Sequence, residues 1–319
     1  MLDPLKFVQG SVSKKDLVPE LTHFVIEAGT VRGYNGQMAL SAPLPFDLDC
    51  KPKAAPLLAA ISKCTETIQL AMTSAGKLSI KSGKFKAHIE CIQGDTVHVL
   101  PEGETYPAIP GLVRILKTVA PFIGSDASRP WSNGVMLKGC SAYATNNVAM
   151  VEHWLSVEIP WVVNIPAAAV KEILRIGEDP VAIQYDGRSM TFHYAGGEWL
   201  RTQLFSTDWP PIEKVFKMNE QCNPAPVPEG FFEALNDLRP FADKLLRVFF
   251  NEGEMTTVAG NVEEGASYSV PGVPAGGIYN IEMLRLLEGT ATSIDLSRYP
   301  EPCPFFGDKV RGLVVGMRQ

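Results

Sequence analysis

The sequence predicts an α+β protein of three tandem modules, each a sheet covered by one or two helices on a single face. Three observations predict it. The chain has 319 residues, more than one ordinary core of about 100–150 residues needs. An apolar, β-rich run closed by a glycine occurs three times, as LTHFVIEAG ending at Gly29, SNGVMLKGC with Gly139, and LLRVFFNEG ending at Gly253, at intervals of 110 and 114 residues. A segment with helical apolar spacing recurs in phase, beginning at Ala54, Pro166 and Gly277, at intervals of 112 and 111 residues. Each unit is large enough for its own core, which excludes a short-period solenoid.

Within each unit the elements follow one order. The glycine-closed run predicts a strand and a turn. Another strand-like stretch follows it: TVRGYNGQMALSAP, SAYATNNVAMVEHWL or EMTTVAGNVEEGASYSV. The helical segments are AAPLLAAISKC (Leu57, Leu58, Ile61), PAAAVKEILRIG (Val170, Ile173, Leu174) and GIYNIEMLRLLEG. The latter two end at Gly177 and Gly289, as a helix C-terminus does. Three strands come next. TIQLAMT, VAIQYD and TSIDLS alternate apolar and polar side chains, LSIKSG, SMTFHYAGG and PCPFFG succeed them, and KFKAHIECI, EWLRTQLFS and VRGLVVGM close the units. The second and third units open with an additional helix, over 110–122 and 228–244. The first has only SKKDLVPEL at that place, so its leading helix reads as shortened. The Pro/Gly-rich stretches 100–111 and 219–230 lack periodicity and read as linkers. The domains therefore fall at 1–103, 104–220 and 221–319.

Composition narrows the function. Hydrophobic residues make up 45% and charged residues 20% of the chain, an ordinary globular balance. No apolar run reaches the roughly 18–20 residues of a membrane helix. The start MLDPLKFVQGSVSKKD lacks a secretory pattern, so a cytoplasmic protein without membrane partners is expected. The net charge of −6 argues against a basic DNA-groove binder and leaves room only for a local basic surface. The cysteines (Cys50, Cys64, Cys91, Cys140, Cys222, Cys303) show no C-x-x-C, and read as reduced thiols. His23, His88, His98, His153 and His193 form no metal-binding spacing. There is no G-x-S-x-G elbow and no P-loop, GVPAGG (272–277) reads as a turn, and Glu263–Glu264 read as a solvated loop tip. No catalytic residue, cofactor or metal is called for. A repeat protein of this kind reads as a scaffold or binding device.

Particular residues then carry a resemblance. RPWSNGVMLKGCSAYATNNVAMVEHWL (129–155) resembles the middle domain of bacterial sliding clamps, the beta subunits of DNA polymerase III. The matching positions are Trp131, Asn133 and Gly134, and the run from Ala144 to Met150. The stretch 165–216, the turn in KLSIKSGKFKAHIECI (77–92) and the terminal VVGMRQ are similar to further parts of the family, in order along the whole chain. Asn147-Val148-Ala149 stands where the family has G-H-R. That departure and the shorter length suggest a divergent member, of bacteriophage origin.

The resemblance implies a crescent of three clamp domains with sheets outside and helices inside, closed to a ring as a head-to-tail homodimer. Such a ring encircles double-stranded DNA without reading sequence and tethers a DNA polymerase. A clamp loader and the polymerase dock through short peptide motifs. The DNA-facing residues carried over are Lys51, Lys53, Lys63, Arg114, Lys117, Lys171, Arg175 and Arg285. The five helical segments together carry +3 while the rest of the chain carries −9, although those of the third unit are acidic on balance. For the peptide-binding groove the matching positions are Val148, Met150, Pro210, Lys214, Val215, Val314, Val315 and Met317, with plain strand core as the other reading of Val314 and Val315. For the dimer interface they are Phe85, Ala87, Pro240 and Phe241, the last equally readable as helix core. An interaction scaffold without DNA, or an enzyme with an inter-domain cleft, are the competing readings.

Overall fold

The computed structural model describes residues 2–15, 17–206, 208–217, 221–259 and 265–318. Glu263 and Glu264 lie outside them. The described chain divides into two compact units, residues 1–113 with 168–204 and residues 114–167 with 205–319.

The first unit opens with helix α1 (Leu2–Val8), which buries Leu5 and Val8. The leading helix thus lies upstream of SKKDLVPEL, which holds no α-helix among its described residues; Pro19–Thr22 make only a 3-10 turn. Strands β1 (Val25–Glu27), β2 (Thr30–Tyr34) and β3 (Met38–Pro43) follow, then α2 (Ala54–Ile61), then β4 (Gln69–Met72), β5 (Leu78–Ser82) and β6 (Phe85–Ile89). β7 (Glu104–Pro107) falls inside the stretch read as a linker. It forms a strand because its backbone pairs with a later one. After α3 (Leu112–Val119), β8 (Gly134–Thr145) and β9 (Ala149–Pro166) come α4 (Ala167–Ile176), β10 (Ala182–Tyr185), β11 (Ser189–His193) and β12 (Trp199–Gln203). The first unit has one sheet in the order β1-β2-β3-β12-β11-β10-β7 and a second in the order β4-β5-β6. Its large sheet joins the first repeat to the back half of the second at β3–β12, where Leu40 faces Leu200. Both are fully buried, each stabilising by about 1.5–3 kcal/mol relative to exposure.

The second unit continues with α5 (Ile212–Lys217), β13 (Ala225–Pro226), α6 (Phe231–Leu238), β14 (Arg247–Asn251), β15 (Glu254–Thr256), β16 (Ser267–Ser269), β17 (Ile278–Asn280), α7 (Ile281–Arg285), β18 (Ser293–Ile294), β19 (Cys303–Gly307) and β20 (Val310–Val314). Its sheets run β13-β18-β19-β20-β9-β8 and β16-β15-β14-β17. β13 again comes from a stretch read as a linker. The predicted helix 277–289 is shorter than expected, because Ile278–Asn280 pair with β14. Asn280 then caps α7, accepting the Met283 N–H at 3.2 Å.

The recurring glycines have a physical cause. Gly29, Gly139 and Gly253 have φ of 68°, 56° and 74°, the left-handed region that side chains resist. Gly29 and Gly253 turn one strand into the next. Gly139 sits at the irregularity in the long β8–β9 hairpin.

Candidate functional site

The second unit holds an apolar cavity of about 180 Å³. Its floor is one transverse rung of a three-stranded platform. Thr145 on β8 faces Met150 on β9, which faces Leu313 on β20. The β8–β9 turn forms one rim. There the Asn146 side chain accepts the N–H groups of Val148 and Ala149 at 3.0 and 2.8 Å, and Asn147 takes a φ of 71°. Val315 donates its N–H to the Val148 carbonyl at 2.9 Å, which ties the chain beyond β20 to that turn. Pro210 and α5, through Ile212 and Val215, line the cavity with Trp131 and Pro302. Trp131 and Trp209 pack edge to face, 5.3 Å between ring centres.

Five of the groove positions read from sequence meet here: Val148, Met150, Pro210, Val215 and Val315. Val148 and Val315 are each 38% exposed, unusual for valines beside a core. Lys214 sits on α5 but does not line the cavity. For Val314 the strand-core alternative holds and the groove reading does not: it is fully buried between Ala149 and Cys303, on the face of β20 away from the cavity. Met317 also lies outside the lining; Ile278 and Tyr299 hold its backbone through hydrogen bonds of 2.7 Å each. Sequence reasoning missed Leu313. Strand alternation contained the signal, since residues 313 and 315 share a face and 314 takes the other. Trp131, Ile212 and Pro302 are brought in by loops and a short helix, for which no periodicity exists.

Beside the floor runs a polar rung. Tyr143, Glu152 and Arg311 are direct cross-strand partners. Glu152 is 3% exposed; it accepts from Ser141 Oγ at 2.7 Å, Tyr143 OH at 2.8 Å and Arg311 Nε. Burial pushes the Tyr143 phenol upward. The Arg311 guanidinium lies 4.5 Å from the Phe216 ring centre on α5 and 5.9 Å from that of Trp154.

The cations carried over by the resemblance divide into two groups. Lys53, Lys63, Arg114, Lys117 and Lys171 are exposed, and among the described residues no carboxylate pairs with them. Lys51 donates to the Gly94 carbonyl. Lys53 stands at the N-cap of α2, where a cation opposes the helix dipole. Arg175 and Arg285 are placed differently. Arg175 is held by Glu172 and by the Phe7 carbonyl at 2.6 Å. Arg285 is paired with Glu282 at 3.0 Å, which also binds Arg239.

Phe85 and Ala87 lie half-buried on β6, which pairs within its sheet only with β5 and so forms an edge. Pro240 and Phe241 lie in the 3-10 turn after α6. Phe241 is 66% exposed, so the helix-core alternative for it does not hold. Among the described residues no group of histidine, cysteine and acidic side chains is arranged to hold a metal, and no helix is long and apolar enough to cross a membrane.

No family model matches the sequence, and no curated protein matches it significantly. Solved structures match along the whole chain. The beta sliding clamp of C. crescentus, with polyethylene glycol bound to a putative beta-motif tethering region, superposes with a TM-score of 0.84 at 15% identity, covering 100% of this chain and 97% of that one. The DnaN sliding clamp of Bartonella birtlesii, bound to griselimycin, gives 0.84 at 17% identity with the same coverage. The beta subunit of the Streptococcus pyogenes DNA polymerase gives 0.84 at 16%, again covering 100% and 97%. The chain has the sliding-clamp fold.

Proposed function

We propose that this chain is a DNA polymerase processivity factor, a sliding clamp that encircles duplex DNA and has no catalytic centre of its own. The observation that carries the reading is the likeness to clamp subunits over the full length of the chain. The three repeats, at 1–103, 104–220 and 221–319, are its clamp modules, and a head-to-tail dimer closes the ring. The edge strand β6 with Phe85 and Ala87 meets Pro240 and Phe241 of a second copy there. The exposure of Phe241 and the open edge of β6 each leave a surface free for such closure. Topology then holds the DNA, and diffuse charge on Lys51, Lys53, Lys63, Arg114, Lys117 and Lys171 attracts phosphates without fixing a register. A closed ring cannot thread onto circular DNA, so a separate loader opens it.

The apolar cavity is the docking site for peptide tails of polymerase and loader. Its exposed valines and its methionine floor suit adaptable apolar anchors. Griselimycin, which the Bartonella birtlesii clamp binds, is expected to occupy it. Val315→Glu should weaken griselimycin at least tenfold in a titration; an unchanged titration removes the cavity from the proposal.

Retention on nicked circular DNA tests the whole reading. Loaded protein should stay on the circle through gel filtration at moderate salt and leave when the circle is linearised. Equal retention on both forms excludes a topological hold and leaves an interaction scaffold.

A further inference from the structure

We infer that Arg311 is a positioning residue for the docking cavity, and that it acts by holding α5 in place through Phe216. The inference rests on the proposed docking role of the cavity. α5 supplies two cavity residues, Ile212 and Val215, and is only six residues long. A helix of that length does not hold its own shape in water. Something outside it must fix its position. Phe216, one residue beyond Val215, packs its ring on the Arg311 guanidinium at 4.5 Å and approaches Tyr143 at 6.5 Å.

Arg311 is itself immobilised. Its partner Glu152 is buried and has its other oxygen occupied by Ser141 and Tyr143. The carboxylate therefore has no freedom to release the guanidinium toward solvent without leaving a buried charge unpaired. The cation lies 4.5 Å from the ring centre and adds to the apolar packing of Ile212 and Phe216 with Met136, Tyr143, Met150 and Leu313. A second tie acts on the outer side, where Lys138 on β8 pairs with Glu213. That pair is half exposed and is the weaker one. Neutral apolar residues at 152 and 311 would fill the same strand positions. The observed polar pair adds a directional contact to α5 that an apolar pair lacks.

The test compares Arg311→Met, Phe216→Leu and Phe216→Tyr with the unaltered full chain. Hydrogen exchange of the amides of 212–217, the midpoint of thermal unfolding and the affinity for labelled griselimycin are measured on each. Phe216→Leu keeps the buried ion pair intact, so it reports on α5 even where Arg311→Met folds poorly. Phe216→Leu should speed α5 exchange about tenfold and weaken griselimycin by a similar factor, while the amides of β8, β9 and β20 keep their protection. Phe216→Tyr, which restores the ring face, should recover both. Arg311→Met should speed α5 exchange and weaken griselimycin in the same way, and unchanged α5 exchange in either Arg311→Met or Phe216→Leu overturns the inference. So does loosening of α5 and the three strands together, which marks a purely structural residue. Loosened α5 with no griselimycin binding in any protein, the unaltered chain included, instead overturns the docking role on which the inference rests.

Discussion

The α2 region and the α6–α7 region, read from the sequence as parts of the first and third repeats, treat positive charge in opposite ways. Among the described residues no carboxylate pairs with the lysines around α2, and Lys53 is placed against the helix dipole. Around α6 and α7 each of three arginines is matched: Arg239 and Arg285 share Glu282, and Arg247 holds Asp243 at 2.7 Å. Charge spent inside an ion pair is screened from a phosphate, whereas an unpaired lysine releases counterions when DNA approaches. The contrast teaches that counting basic residues overstates the electrostatic role of the third repeat. On the proposed function, pairing and not composition separates a surface open to phosphate from one that maintains its own shape.

The largest effect should come from reversing the first region. Lys51→Glu, Lys53→Glu and Lys63→Glu together should shorten retention on nicked circular DNA more than tenfold. They should also flatten its salt dependence by about two to three powers of the salt concentration, read from dissociation rates at several ionic strengths. Equal damage from Arg239→Glu with Arg285→Glu would break the contrast. A smaller effect is expected from Glu282→Ala, which frees two arginines. Retention should lengthen about two- to threefold, and the unfolding midpoint should drop by a degree or two, as a partly exposed pair is worth little. Shorter retention would show that the ion pairs, not the arginines, matter there.

The smallest effect is a pH dependence. The hydrogen bond from Arg239, then the charge of Arg285, holds the Glu282 carboxyl below its ordinary value of 4.5. A carboxylate lowered on folding stabilises the folded chain above its unfolded pKa, and that contribution disappears as the pH falls through the folded value. Acid should therefore loosen α6 and α7 before α2, as hydrogen exchange between pH 5 and pH 3 would record. Simultaneous loosening would remove the distinction.

The repeat was legible because its signals are local. Glycines forced to positive φ, helical spacing around Val170 and Ile173, and alternation in VAIQYD are each fixed within a dozen residues. What was not legible depends on partners far along the chain. The stretches around 104–107 and 225–226 look like linkers, and they become strands only because β10 and β18 offer them open edges. The cavity divided in the same way. Val148 and Met150, in the β8–β9 turn and at the start of β9, were legible from the local pattern, whereas Ile212 and Trp131 needed the folded chain. Glu152 and Arg311, 159 positions apart, are charges within strand patterns, and nothing in either segment alone marks them as a pair.

The sharing of sheets between repeats has a consequence for how such a chain comes apart. The segment that recurs in the sequence is not the segment that coheres in space. Each unit takes strands from two successive repeats, joined at β3–β12 in one and at β9–β20 in the other. Removing any single copy would leave a neighbour with an unpaired strand edge, at β3–β12 or at β9–β20. The modules can be added or lost over generations only where a replacement strand is already waiting to heal the exposed seam.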